Sequence, residues 1–286
     1  MSTPPVIAKI QLGQLLKQYR DQAKLSPEQV SEHMRWHGTK LSRIENGYTG
    51  VTDAEADRLI QFYSVPAEDH DLVRTLAADG RRRVSYGHVR TDARAYVGML
   101  AGAKRLRAFA IDTFDGLLQT EDYARALLTE SSTATRPVDR DHLISGRMQR
   151  QEIILSGNVA LEHIVSEAAL HQLRTHNDVM QGQLRQLLQM SALPNVTIQV
   201  LPFGRPHPAM GQPFTLVDLA QPERTVVYIE GITNSFYPDG RSVETHTLVY
   251  DRIKALALSV EDTRGLLARS IEEMENDQEE VRGDGA

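Results

Sequence analysis

The sequence predicts a mainly α N-terminal domain of five helices followed by an α+β domain with a small antiparallel sheet. Three observations carry this expectation. Apolar residues recur at helical spacing through the first 80 residues, strand-like runs bounded by Gly, Pro or Asn begin only after Gly157, and further helical segments lie among and beyond those runs. At 286 residues the chain has room for two domains, the second with a sizeable core. The expected division is 1–80 for the helical domain, 81–93 for a linker, 94–270 for the α+β domain and 271–286 for an acidic flexible tail.

Leu12, Leu15, Leu16, Tyr19 and Ala23 give a first helix one long apolar stripe to lay over the following pair. The second helix has a well-specified start: Ser26 at the N-cap, Pro27 at the first helical position where its missing N–H costs nothing, and Gln29 closing a capping box. Val30 and Met34 then share one face, and the short Ser31 leaves room for a neighbouring helix. After a turn carrying Arg35, a third helix is expected over His37–Asn46. Stepping about 100° per residue from Thr39 puts Leu41, Ile44 and His37 on the inward side. Thr39, Arg43 and Asn46 fall on the opposite side, flanked by Lys40 and Ser42. Asp53–Tyr63 repeats the pattern through Ala56, Leu59, Ile60 and Tyr63, and Pro66 opens a fifth helix through Leu72, Val73 and Leu76 toward Asp79.

Two short helices joined by a tight turn, the second with a polar, cation-bearing face, make a helix-turn-helix of the kind that reads the major groove. Arg43 can pair bidentately with guanine O6 and N7, worth about 1–3 kcal/mol against a wrong base. Thr39 offers a hydroxyl or a methyl to thymine, and Lys40 suits a phosphate or a flanking base. The first N–H groups of each short helix suit phosphate oxygens. An ordinary helical hairpin with a solvated polar face has the same spacing.

The string from Leu25 to Gly47 resembles, without a gap, the helix-turn-helix of the phage-repressor-like XRE family of transcription regulators, and its close, Leu41-Ser-Arg-Ile-Glu-Asn-Gly47, is the most specific part. The resemblance implies that Gly38, Thr39, Lys40 and Arg43 make base or phosphate contacts and that Ser26 and Asn46 lie near the DNA backbone. With His37 at the head of the helix, the candidate DNA-binding set is Ser26, His37, Gly38, Thr39, Lys40, Arg43 and Asn46. Arg35 stands where that family has a turn glycine, so a left-handed conformation there is strained. Gly38 offers no side chain to a base.

With 41% hydrophobic and 24% charged residues, composition is that of an ordinary globular protein. No apolar run approaches the ~18 residues that cross a bilayer, and Met1–Ile10 lacks the apolar stretch of a secretory signal. The absence of cysteine excludes disulfides and thiolate metal sites and agrees with a cytoplasmic setting. Net charge is −6, but residues 1–90 hold 13 Lys and Arg against 11 Asp and Glu, a balance of +2 that leaves −8 for the remainder. Affinity for DNA must therefore come from local placement. The cluster Arg81-Arg-Arg83, Tyr86-Gly-His88 and Arg90 reads first as cations offsetting a helix C-terminus, and second as a backbone contact.

In the second domain, Tyr96, Leu100, Ala103, Leu106 and Phe109 read as one helix, Thr120 caps another with Glu121 and Asp122 in its first turn, and Asp141–Leu155 is a third. Strands follow at Leu161–Ser166, Val196–Leu201, Phe214–Leu219 and Thr225–Glu230, with helices at Val179–Met190 and Val243–Ser259. Glu272–Asp284 reads as a frayed, solvated tail. His163, Glu167 and His171 have four-residue spacing that would align metal ligands on one helix, but a strand ends at Ser166, so they are not expected to converge. His207 reads as a loop residue and Gln181–Gln189 as a helix surface. Phosphate loop, dinucleotide fingerprint and nucleophile elbow are missing from the sequence, so no enzyme, cofactor or metal is expected.

Gly116-Leu-Leu-Gln-Thr-Glu-Asp-Tyr-Ala-Arg-Ala126, Arg147-Met-Gln-Arg-Gln151, Glu167-Ala-Ala-Leu170, Val196-Thr-Ile-Gln-Val-Leu-Pro202 and Val227-Tyr-Ile-Glu230 resemble, in this order, a large actinobacterial group. Its members join an XRE-type reader to a C-terminal antitoxin-like regulatory domain of poorly defined function. The likeness implies a cytoplasmic transcription regulator binding a palindromic operator in double-stranded DNA as a homodimer, with helix 37–46 in the major groove. A small protein partner or a small-molecule effector would act through the second domain. The alternative is an antitoxin-like module that sequesters a small partner protein and autoregulates its own operon.

Overall fold

The computed structural model describes residues 3–85, 89, 93–130, 137–173, 176–231, 234–238 and 240–283. The chain divides into two compact units, one of Met1–Tyr86 with Arg94–Gly102 and Leu219–Arg224, the other of Gly87–Ala93, Ala103–Asp218 and Thr225–Ala286.

The first unit opens with α1 (Pro5–Gln22), α2 (Pro27–Met34), α3 (Lys40–Glu45), α4 (Asp53–Phe62) and α5 (His70–Arg81), the five helices expected. Their apolar stripes converge on one core containing Leu12, Leu16, Val30, Met34, Leu41, Ile44, Leu59, Val73 and Leu76. A sixth helix, α6 (Arg94–Leu100), packs on α1. The starts of α2 and α4 are fixed by reciprocal capping boxes, Ser26 with Gln29 and Thr52 with Glu55. Arg81 and Arg82 serve the fold: Arg81 donates to Val51 O and Asp53 Oδ1, and Arg82 donates to Thr3 O. Arg83 is exposed, and the remaining members of the cluster, Tyr86–His88 and Arg90, lie outside the described residues.

The second unit contains β1 (Ala103–Ala110), α7 (Glu121–Glu130), α8 (Pro137–Leu155), β2 (Ala160–Ser166), α9 (Asn177–Met190), β3 (Val196–Leu201), β4 (Phe214–Leu219), β5 (Arg224–Glu230), β6 (Ser235–Phe236), α10 (Arg241–Leu256) and α11 (Val260–Gly283). The expected small antiparallel sheet is corrected to a six-stranded mixed sheet in the order β3-β2-β1-β4-β5-β6. β1 pairs β2 in parallel with Leu106 opposite Leu161, and β2 pairs β3 in parallel with Leu161 opposite Val196. Strands with the same direction need long crossovers, which α7, α8 and α9 provide. β5 and β6 pair antiparallel, with Ile229 opposite Phe236.

The helix expected through Phe109 stops at Leu100, and residues 103–110 form β1 instead. The reason is a partner far along the chain: the buried Arg107 donates to both oxygens of Asp218 in the adjoining β4, at 2.9 and 3.1 Å. Arg105 and Thr225 bond the same carboxylate at 2.7 and 2.6 Å. Burial pushes the Asp218 pKa up, but these donors outweigh it and hold it below the usual carboxylate range. On the sheet, Tyr250 and Ile253 of α10 join Phe109, Ile164, Leu201 and Phe214 in one core. The acidic segment expected to fray continues α11 to Gly283 and buries Ile271 and Met274.

Candidate nucleic-acid interface

The third helix is shorter than its sequence suggests, six residues from Lys40 to Glu45 rather than His37–Asn46. His37 and Gly38 belong to the turn, where Gly38 has φ 61° and open space where a Cβ would stand. His37 is exposed, which corrects its assignment to the inward side; the inward aromatic is its neighbour Trp36, 9% exposed. Arg35 does take the left-handed conformation, φ 55° and ψ 42°, at the C-cap of α2, a cost of about 1–2 kcal/mol for a residue with a Cβ.

Thr39 is the N-cap residue of α3, and its side chain makes no cap bond. Together with Ser42 and Arg43 it lies on the exposed side, while Leu41 and Ile44 are buried behind them. Arg43 Nε donates to Thr49 Oγ1 at 3.2 Å, and Asn46, half-buried at the C-cap, donates to Ser42 Oγ at 3.4 Å. Ser26, also half-buried, is spent on its capping box: its Oγ accepts from Gln29 N at 3.2 Å and its N–H donates to Gln29 Oε1 at 2.7 Å. The structure thus brings His37, Gly38, Thr39 and Arg43 to an open surface and keeps Ser26 on its local bonds, while Asn46 Oδ1 also accepts from the distant Arg224 Nη2 at 3.4 Å. Lys40 is half-buried and pairs with Glu55 at 2.5 Å.

Two features that hold α3 in place were not singled out in the sequence. Arg20 of α1, nearly buried, reaches Glu45 with Nε at 2.6 Å and Nη2 at 3.2 Å, while Nη1 donates to Leu25 O at 3.1 Å. The Glu45 hydrogen bond outweighs burial and raises the guanidinium pKa. Beside it, a Cβ on Gly13 would lie 2.3 Å from Ile44 O, so α1 and α3 approach with only a hydrogen between them. Helical periodicity shows neither, because both depend on which helix lies opposite.

In the second unit, His163 is fully buried in β2, Glu167 accepts from Phe203 N at 2.8 Å, and His171 stacks on Phe203 at 5.7 Å. These three side chains do not converge, and among the described residues no group of three His, Cys, Asp or Glu can hold a metal ion. Burial pushes the His163 pKa down to about 4. His207 sits in the segment between β3 and β4, its ring edge-on to Phe109 at 5.2 Å. The glutamines expected on a helix surface are in part interior: Gln183 accepts from Thr120 N at 2.8 Å and donates to Leu118 O at 2.9 Å, and Gln181 is buried too. Among the described residues no helix is long and apolar enough to cross a membrane.

Two family models match parts of the chain. Residues 11–73 match a helix-turn-helix domain model, and residues 93–269 match the model of a domain of unknown function, DUF5753. No curated protein and no solved structure matches the chain. Since the second model spans more than half of the sequence, the chain belongs to the DUF5753 family and carries a helix-turn-helix domain ahead of that region.

Proposed function

We propose that the protein is a sequence-specific transcription regulator of XRE type, not an enzyme, which binds a palindromic operator as a homodimer with α3 in the major groove. The observation that carries this reading is the exposed side of α3 and its preceding turn. Thr39 and Arg43 face outward on a helix pinned from behind by Leu41, Ile44 and the Arg20–Glu45 pair. The Arg43 bond to Thr49 is a single exposed contact, which a bidentate, charge-assisted pair with guanine would replace. On this reading the DUF5753 region receives the regulatory signal, which must favour one DNA-binding state over the other to have any effect.

The test is selection of duplexes from a random-sequence pool by the full-length protein, followed by binding measurements on single-base variants. Arg43→Ala is expected to relax preference at one position per half-site, by about 1–3 kcal/mol. Unchanged preference at every position would remove Arg43 from the reading face.

A further inference from the structure

Lys40 is the cation that the sequence offers to a phosphate, yet its ammonium already has partners. Nζ lies 2.5 Å from Glu55 Oε1 and 4.7 Å from the centre of the Trp36 ring. Trp36 Nε1 donates to the same oxygen at 3.2 Å, and the other oxygen accepts from Thr52 N at 2.9 Å and Thr52 Oγ1 at 3.0 Å. The Glu55 carboxylate therefore accepts four hydrogen bonds at the start of α4, and its side chain is only 17% exposed. Among the described residues, Lys40 supplies the one cation bonded to it. Burial pushes the Glu55 pKa up, but Lys40 and the capping bonds outweigh it and keep the group below its ordinary value, ionised at neutral pH.

Moving Lys40 to a DNA phosphate would exchange one ion pair for another, forfeit the indole contact and leave a poorly solvated carboxylate without its cation. We infer that Lys40 is a positioning residue: Glu55 and Trp36 keep its ammonium off the duplex, so that it ties the head of α3 to the head of α4 and adds no phosphate contact. This inference rests on the DNA-binding reading above. It assigns sequence preference to Thr39 and Arg43 and removes one charge from the electrostatic footprint.

The experiment measures the affinity of the full-length protein for its selected duplex across a series of KCl concentrations. Each DNA phosphate neutralised by a protein cation contributes about −0.9 to the slope of log K against log salt. Lys40→Met is expected to weaken binding by the same factor at every concentration and to keep the wild-type slope. A slope flatter by about 0.9 would overturn the inference. Should the unpaired Glu55 unfold that variant, the double variant Lys40→Met/Glu55→Gln removes the orphaned charge and retains a residue that closes the capping box, and the same slope criterion applies.

Trp36 is the only tryptophan in the chain, so its emission reports directly on the ammonium above it. Lys40→Met should shift the emission of the free protein, whereas adding duplex to the wild type should not reproduce that shift. Emission unchanged by Lys40→Met, or a matching shift on binding DNA, would overturn the clamp. If no duplex is selected at all, the regulator reading fails, and the emission of the free proteins still decides whether the clamp exists.

Discussion

His163 sits wholly buried in β2, and neither ring nitrogen has a hydrogen-bond partner among the described residues. Its neutral form is held by burial, with protonation deferred to about pH 4, whereas the unfolded chain takes up that proton near the ordinary 6.5. Between those values the unfolded state binds more protons, so stability falls as pH drops from 6.5 toward 4. His163→Leu, of similar volume, is expected to flatten this acid limb and raise stability at neutral pH by about 1–3 kcal/mol, the cost of an unmet buried polar group. Denaturant midpoints across the pH series check it; an unaltered acid limb would place the destabilising proton on another residue.

The position of α3 depends on its packing more than on its own six residues, because a helix so short has almost no independent stability. Gly13 makes the close approach of α1 possible, so Gly13→Ala should cost about 1–3 kcal/mol by overpacking and displace α3 enough to weaken DNA binding. Thermal denaturation and duplex affinity together test this, and a stable variant with full affinity would show that α3 needs no such seat. Elements with local signals were legible in the sequence. The Ser26–Gln29 box fixed the start of α2, and β3 and β4 have the bounds expected, because turn residues and apolar runs are written within a few positions. Elements whose reasons lie far away were not. Arg20 finds Glu45 25 residues on, and Arg107 finds Asp218 after 111, so an i, i+3 spacing in Ala103, Leu106 and Phe109 reads as helix until β4 is present. The alternation of helices and strands from β1 to β3 is a sign of parallel pairing, which the helical spacing across residues 103–110 hides.

Across the whole molecule, charge is arranged for a local rather than a general attraction to nucleic acid: net −6, with the first 90 residues at +2. A dimer compensates for modest affinity per subunit by engaging two sites at once. The regulator reading therefore expects a symmetric footprint with half-sites about 34–36 Å apart. Hydroxyl-radical footprinting and sedimentation of the complex would reveal it; one protected patch bound by a single chain would rule the two-fold arrangement out. The parallel pairing of β1, β2 and β3 has a consequence for biosynthesis. None of these neighbours can zip from a tight hairpin, so the chain must spend loop-closure entropy over two long crossovers before the first rungs of that ladder reward it. The N-terminal helices can mature on the ribosome while the strand residues Leu161–Val165 wait for a mate. That interval is when the nascent polypeptide has most need of a chaperone.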